Sequence, residues 1–533
     1  MTSKTPFRIA SLVSLLTSFA LAACAGSGGD SGTPGTGGNS ATAGTTGGAG
    51  TSGQAGTTGA AGTSGQAGTS GGAGTSGGAG TTGAAGSVST AGTGGGAGGN
   101  TGSAGTTGAA GTTGAAGNLG GAGRGGSSTG GGIGMAGRGG TTGAAGTTGT
   151  AGTTGSGGAG TPTGENSGAH CNATAAALLG AQNKKLPNPF AMHDGTIIST
   201  KAQWECRRNE IKADLEKYEV GPKQEPPTVA ATLSGSNLSV KVTVGANSIT
   251  LTSTISGSGS CVVIGMNGTA GIVSGCTQVP FKHDQVVTYT SSSTQTQSDP
   301  FYKLYPSLWG KIGNYSAWAW GISRLIDGLE QVKGQMNIDT TKIATWGCSY
   351  AGKMSLFGGA FDERVALTIV EESGGGGINA WRTSQDFNAR TGTSIEKIDN
   401  TNYSWFLTSM KSLDPYKLPH DHHELIAMIA PRATIILGND DYEWLGDESG
   451  YKSTIAAIEV FKALGIADHI GYDFTSGHGH CQAPATQTAS VKTFVDKYLK
   501  GGTGASNIAI KPPSTKFNLD TSGVIDWTAP TLQ

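Results

Sequence analysis

The apolar positions of this chain change period along its length. Residues 203–218 carry them at helical spacing. Residues 228–254 instead alternate apolar and polar side chains, rich in Val and Thr, which predicts antiparallel strands. Two short apolar runs follow, at 261–266 and 270–273, and then an amphipathic helix over 318–332. Beyond it, residues 342–346, 365–371 and 433–437 read as buried strands separated by helical stretches, with helices over 453–464, where Ser453 is placed as the cap, and 489–499. Strands alternating with helices predict an α/β fold: a three-layer sandwich with a mostly parallel central sheet. Sites in such sheets lie outside the carboxyl ends of the strands. Ser349, Glu371, Glu372, Asp440 and Asp441 all fall there.

The N-terminal region shows neither period. Lys4 and Arg8 precede an apolar stretch over 9–21, and Leu21-Ala22-Ala23-Cys24 follows, which reads as an export signal over 1–24. Small residues before a cysteine resemble a bacterial lipoprotein box. Lipidated Cys24 would then anchor the mature protein in an outer membrane, whereas cleavage near Ala23 as an ordinary signal would leave it secreted. Residues 25–164 are Gly, Thr, Ala and Ser, in recurring units such as Ala-Gly-Thr-Thr-Gly-Ala. They offer almost nothing to build a core, so the composition predicts a disordered segment, and without a Gly-X-Y period it is not collagen. As a Gly-rich coil it would span roughly 60–70 Å and serve as a tether. This segment also explains the low hydrophobic content of 35%. One large folded domain is placed at 165–503, with a C-terminal tail over 504–533.

A net charge of −1 gives no electrostatic case for nucleic acid. Candidate chemistry centres on Gly347-Cys348-Ser349-Tyr350-Ala351-Gly352-Lys353-Met354. One reading is a nucleophile elbow, G-x-S-x-G with Ala351 in the last small position. Another is a phosphate loop, G-x-x-x-x-G-K-[ST], but Met354 stands where the magnesium-binding hydroxyl belongs, and export removes the chain from nucleotides. The elbow reading finds partners in the order serine, acid, histidine: Ser349, then Glu372 or Asp440, then His480. Beyond Cys24 there are six cysteines, which allow 15 pairings in an exported chain. Local spacing suggests Cys171–Cys206 and Cys261–Cys276, leaving Cys348–Cys481, a bond that would bring Ser349 and His480 into one neighbourhood. His420-Asp421-His422-His423 has no standard zinc spacing, so no metal is expected.

Several stretches together carry a resemblance: Leu186-Pro187-Asn188-Pro189-Phe190, Trp318-Ala319-Trp320-Gly321, Gly347-Cys348-Ser349, Glu372-Ser373-Gly374-Gly375-Gly376-Gly377, Trp381-Arg382, Asp441-Tyr442-Glu443-Trp444 and Gly477-His478-Gly479-His480-Cys481-Gln482. Over 171–499 the chain resembles the glucuronoyl esterases, carbohydrate esterases of the α/β-hydrolase fold. The resemblance implies hydrolysis, without cofactor, of esters between (4-O-methyl-)glucuronic acid of xylan and lignin alcohols. It makes Ser349 the nucleophile, His480 the base and Glu372 the acid. Lys353 and Trp444 become uronic-acid contacts, Lys353 as an anchor for the sugar carboxylate, and Glu396 the candidate for a further sugar contact. It also implies the Cys348–Cys481 and Cys171–Cys206 disulfides. Two positions depart from the family: Tyr350 stands where an arginine usually follows the serine, leaving its backbone N–H for the oxyanion hole, and Ala380 replaces a cysteine. The alternatives are another carboxylesterase of the same fold and a catalytically weak cell-surface carbohydrate-binding protein. A monomer is expected.

Overall fold

The structure, a computed structural model, describes residues 164–533. The export signal, Cys24 and the repeat segment up to residue 163 lie outside the described residues. The domain begins at Glu165, whose carboxylate takes Lys223 Nζ at 2.7 Å and Arg364 Nη2 at 3.3 Å, with Arg324 also bonded to it.

Helix α1 (Lys201–Leu215) starts in a capping box between Thr200 and Gln203. The alternating stretch forms β1 (Thr228–Ser234), β2 (Asn237–Val244) and β3 (Asn247–Thr254), paired antiparallel as expected, with Val240 opposite Leu251 and Val242 opposite Ile249. Leu238, Val240, Val242, Ile249 and Leu251 are buried while Lys241 is exposed, so one face packs inward and the other meets water. The inner face lies close on helix α3 (Asn314–Met336, following the short α2, Pro300–Leu304). A Cβ on Gly328 would come 2.4 Å from Val240 Cγ2, so only glycine permits the approach.

The central sheet contains β4 (Val262–Met266), β5 (Thr277–Phe281), β6 (Ile343–Cys348), β7 (Val365–Glu371), β8 (Ala433–Leu437), β9 (Ile470–Asp473) and β10 (Ala509–Ile510), in the order β10-β9-β8-β7-β6-β4-β5. Every neighbouring pair is parallel. Helices α4 (Tyr350–Phe361), α5 (Trp381–Thr391), α6 (His422–Ala427), α7 (Asp447–Ala463) and α8 (Ala485–Tyr498) complete the layers. Alternate strand residues feed two cores. Leu367, Ile369, Ile435 and Leu437 pack with Val491, Phe494 and Val495 of α8. Ile343, Val370 and Ile436 face the opposite core with Leu325, Met354 and Val460 of α3, α4 and α7. This is the three-layer sandwich that the strand–helix alternation predicts. Among the described residues no helix is long and apolar enough to cross a membrane.

Three details differ from the sequence-based expectation. Residues 270–273 form no strand; Ala270 and Val273 are buried in a loop. The strand is β5 instead, and it contains Pro280, which argues against a strand in sequence but costs little at a sheet edge. The C-terminal segment runs back over the domain: β10 pairs with β9, Phe517 packs near Phe387 and Ile395, and the Lys201 N–H donates to the Gln533 carbonyl at 2.9 Å. All three disulfides that spacing suggested are present, with Cα separations of 5.4 Å (Cys171–Cys206), 4.8 Å (Cys261–Cys276) and 5.6 Å (Cys348–Cys481).

Candidate active site

Strand β6 ends at Cys348 and helix α4 begins at Tyr350, so Ser349 alone makes the turn. It does so at φ 59°, ψ −127°, a conformation that side-chain-bearing residues rarely adopt. The turn is held by the Ser349 N–H donating to the Glu371 carbonyl at 3.0 Å. Its tightness explains the surrounding small residues. A Cβ on Gly347 would lie 2.1 Å from the Ala351 carbonyl oxygen, and one on Gly352 2.5 Å from that of Glu371. The result is the geometry of a nucleophile elbow, with the hydroxyl raised at the carboxyl end of the sheet.

The Cys348–Cys481 disulfide joins the residue before Ser349 to the residue after His480, although 133 positions separate them. His480 Nδ1 lies 2.9 Å from Glu372 Oε2, and the Cys481 N–H donates to Glu372 Oε1, also at 2.9 Å. Glu372 is 1% exposed and sits just past β7 at φ 44°, with its own N–H donating to the Leu437 carbonyl. His480 Nε2 is buried and makes no hydrogen bond. Asp440, the other candidate acid, makes no hydrogen bond or ion pair with His480; it is paired with Lys516 at 3.9 Å, and its Oδ1 has no hydrogen-bond partner. Asp441 instead accepts from the N–H groups of Gly477 (2.6 Å) and His478 (3.2 Å), and the Tyr442 hydroxyl accepts from the His480 N–H at 3.1 Å. The loop after β8 therefore clamps the histidine loop. Asp447, buried near Glu372, is pushed up to about 8, first by burial and then by the Glu372 charge.

Around this centre the structure gathers the remaining predicted residues. The Trp444 ring stands 4.8 Å from His480, edge to face. Lys353 Nζ pairs with Glu396 Oε2 at 2.9 Å and lies 5.4 Å over the Trp405 ring. Lys353 and Glu396, both expected as uronic-acid contacts, are thus brought together as an ion pair. Lys353 and Glu396 together form a donor–acceptor pair of the kind sugar hydroxyls bind. Tyr350 is 3% exposed, and its hydroxyl bonds Asn267 Nδ2 at 3.1 Å and His283 Nε2 at 3.2 Å. Its ring packs 4.3 Å from Tyr289. Burial pushes the Tyr350 phenol up to about 12, so it stays neutral. Trp405, His283 and Asn267 gave no local signal in the sequence, since each sits in a loop or a short 3-10 turn whose course is set by tertiary packing. The histidine cluster is internal wiring: His422 Nε2 and His420 Nε2 lie 2.8 and 3.2 Å from the Glu219 carboxylate, and His423 bonds the Pro187 carbonyl.

A parallel sheet carrying a serine elbow, with histidine and carboxylate on the following strand ends, defines an α/β-hydrolase of the serine esterase class. The family model described as "Glucuronyl esterase, fungi" matches residues 239–465. The chain is 36% identical over 379 residues to the 4-O-methyl-glucuronoyl methylesterase of Hypocrea jecorina, covering 68% of this chain and 80% of that protein. It is similar to the solved glucuronoyl esterase of Sporotrichum thermophile, with TM-score 0.63 and 34% identity over 68% of this chain and 100% of that one. A serine-to-alanine mutant of that enzyme, solved with methyl 4-O-methyl-β-D-glucopyranuronate, aligns with TM-score 0.62 at 34% identity over the same shares of the two chains, 68% and 100%. This chain belongs to the glucuronoyl esterase family.

Proposed function

We propose that this protein is a serine esterase that hydrolyses esters between (4-O-methyl-)glucuronic acid of xylan and lignin alcohols through an acyl-enzyme. The observation that carries the reading is the His480–Glu372 contact at 2.9 Å, tied by the Cys348–Cys481 bond to the strained Ser349 turn. Ser349 Oγ attacks the ester carbonyl while His480 Nε2 takes its proton. The imidazolium that forms is stabilised by Glu372 and returns the proton to the departing alcohol. Water, activated by the same imidazole, then releases the uronic acid and restores Ser349. The Tyr350 N–H, first in α4, is the residue-after-nucleophile donor for the oxyanion. Lys353 and Glu396, with Trp405 beside the lysine and Trp444 beside His480, hold the sugar.

The test is hydrolysis of benzyl glucuronate by the wild type and by Lys353→Met, with p-nitrophenyl acetate as control. Losing a charged hydrogen bond to the sugar is worth about 1.5–3 kcal/mol, so KM for the glucuronate is expected to rise by about 10- to 100-fold. The acetate, which has no sugar, is expected to be barely affected. Turnover of acetate alone would support a general carboxylesterase of the same fold. No turnover of any ester would leave a surface carbohydrate-binding protein.

We also propose that Cys24 carries lipid, holding a monomeric domain at the outer membrane by the 25–164 segment. The support is the Leu21-Ala22-Ala23-Cys24 sequence. Palmitate incorporation in the wild type, lost in Cys24→Ser, is expected; no incorporation in the wild type would rule this out and leave a secreted protein.

A further inference from the structure

Glu371 is a buried carboxyl that the proposed chemistry leaves idle. It is the last residue of β7, 1% exposed, directly before Glu372. Its Oε1 accepts from Trp346 Nε1 at 3.0 Å, the Ala483 N–H faces the same carboxyl, and Oε2 has no hydrogen-bond partner. One of its oxygens lies within 4.8 Å of both a Glu372 oxygen and Cys348 Sγ. A ring nitrogen of His480 lies within 4.8 Å of that same sulfur. Two buried carboxylates this close ionise in separate steps, the second at higher pH than the first. Glu372 has the better hydrogen bonds of the two, holding His480 Nδ1 and the Cys481 N–H. Burial first, and then the Glu372 charge, push Glu371 up to about 7. The titratable neighbour of Glu371 is Glu372 at its own strand end, and behind Glu372 stands His480 from the loop after β9. Strand β6 presents Trp346 and the disulfide sulfur of Cys348, neither of which titrates. Beyond Glu372 stand Asp447 and Asp440, with Lys516 near them.

We propose that Glu371 is a positioning residue whose proton governs the charge behind the His480–Glu372 pair and thereby tunes the basicity of His480. This rests on the esterase reading above. When Glu371 is protonated at its unpartnered oxygen, His480 feels one nearby carboxylate. When that proton leaves for solvent, a second negative charge favours the imidazolium. His480 then stays protonated, and unable to act as a base, to higher pH.

The experiment is the pH profile of kcat/KM on benzyl glucuronate for the full-length protein and Glu371→Gln. Glutamine keeps the shape and the acceptor for Trp346 but cannot ionise. The acid limb is expected to move to lower pH by about half a unit to one unit, as for removal of one charge at this range. Trp346→Phe removes the donor that favours ionised Glu371, so its limb is expected to move the same way. Superimposable limbs for wild type and Glu371→Gln, or a shift to higher pH, overturn the proposal. Proton NMR titration of the His480 ring, assigned by its loss in His480→Gln, reads the same shift without turnover. A chain that hydrolyses no ester would therefore overturn the esterase reading, while the titration still decides Glu371.

Discussion

Ser349→Ala is expected to abolish hydrolysis of benzyl glucuronate, with kcat falling by about 10⁵- to 10⁶-fold, the scale seen when serine hydrolases lose their nucleophile. The site offers no substitute. The neighbouring Cys348 is locked in a disulfide, and the flanking Tyr350 hydroxyl is buried against Asn267 and His283. The fold should not suffer, because the Ser349 hydroxyl makes no hydrogen bond with the described residues and the turn is held by its backbone N–H. Alanine meets the same unfavourable φ that serine already tolerates. Unchanged circular dichroism and thermal midpoint with lost turnover are thus the expected pair of results. Retained turnover would mean that the elbow is not the reacting centre.

Glu372→Gln is expected to lower kcat by about 10³- to 10⁴-fold with KM nearly unchanged, whereas Asp440→Asn should leave kcat near the wild-type value. The difference lies in geometry. The side-chain amide of the Glu372→Gln variant would still offer its oxygen to the Cys481 N–H, so the loop stays in place. Its NH₂ would then face His480 Nδ1 and force the proton onto Nε2, where the base must be free. Asp440 makes no hydrogen bond or ion pair with His480, and its ion-pair partner, Lys516, is 3.9 Å away. Kinetics of the two variants side by side check this. A large loss in Asp440→Asn with a small one in Glu372→Gln would reverse the assignment.

Much of this centre was legible in one dimension. The β6–Ser349–α4 unit shows itself as an apolar run, a small-residue turn and a helix, because an elbow this tight admits only glycine at 347 and 352. The parallel sheet showed as wholly apolar strands, since both its faces are covered. The strands with no clear pattern in the sequence are short or at the edges: β9 has four residues, β10 two, and β5 carries Pro280. Edge strands need not be apolar or rich in β-formers, so their local pattern is weak.

By itself, then, the sequence determined the layer architecture, the serine turn, the disulfide set and the resemblance to an esterase family. Each of these follows from local periodicity, turn sterics or ordered motifs. The tertiary structure alone brought Glu372, rather than Asp440, to His480: both follow strands, and Glu372, at φ 44°, places its carboxylate 2.9 Å from His480 Nδ1. It alone showed that Lys353 is neutralised by Glu396 and lies over Trp405, residues brought together across separate loops. It alone surrounded Tyr350 with Asn267 and His283 and left Glu371 buried beside the acid. The charge state and reach of a side chain depend on what stands opposite it in space, and spacing along the chain carries no record of that.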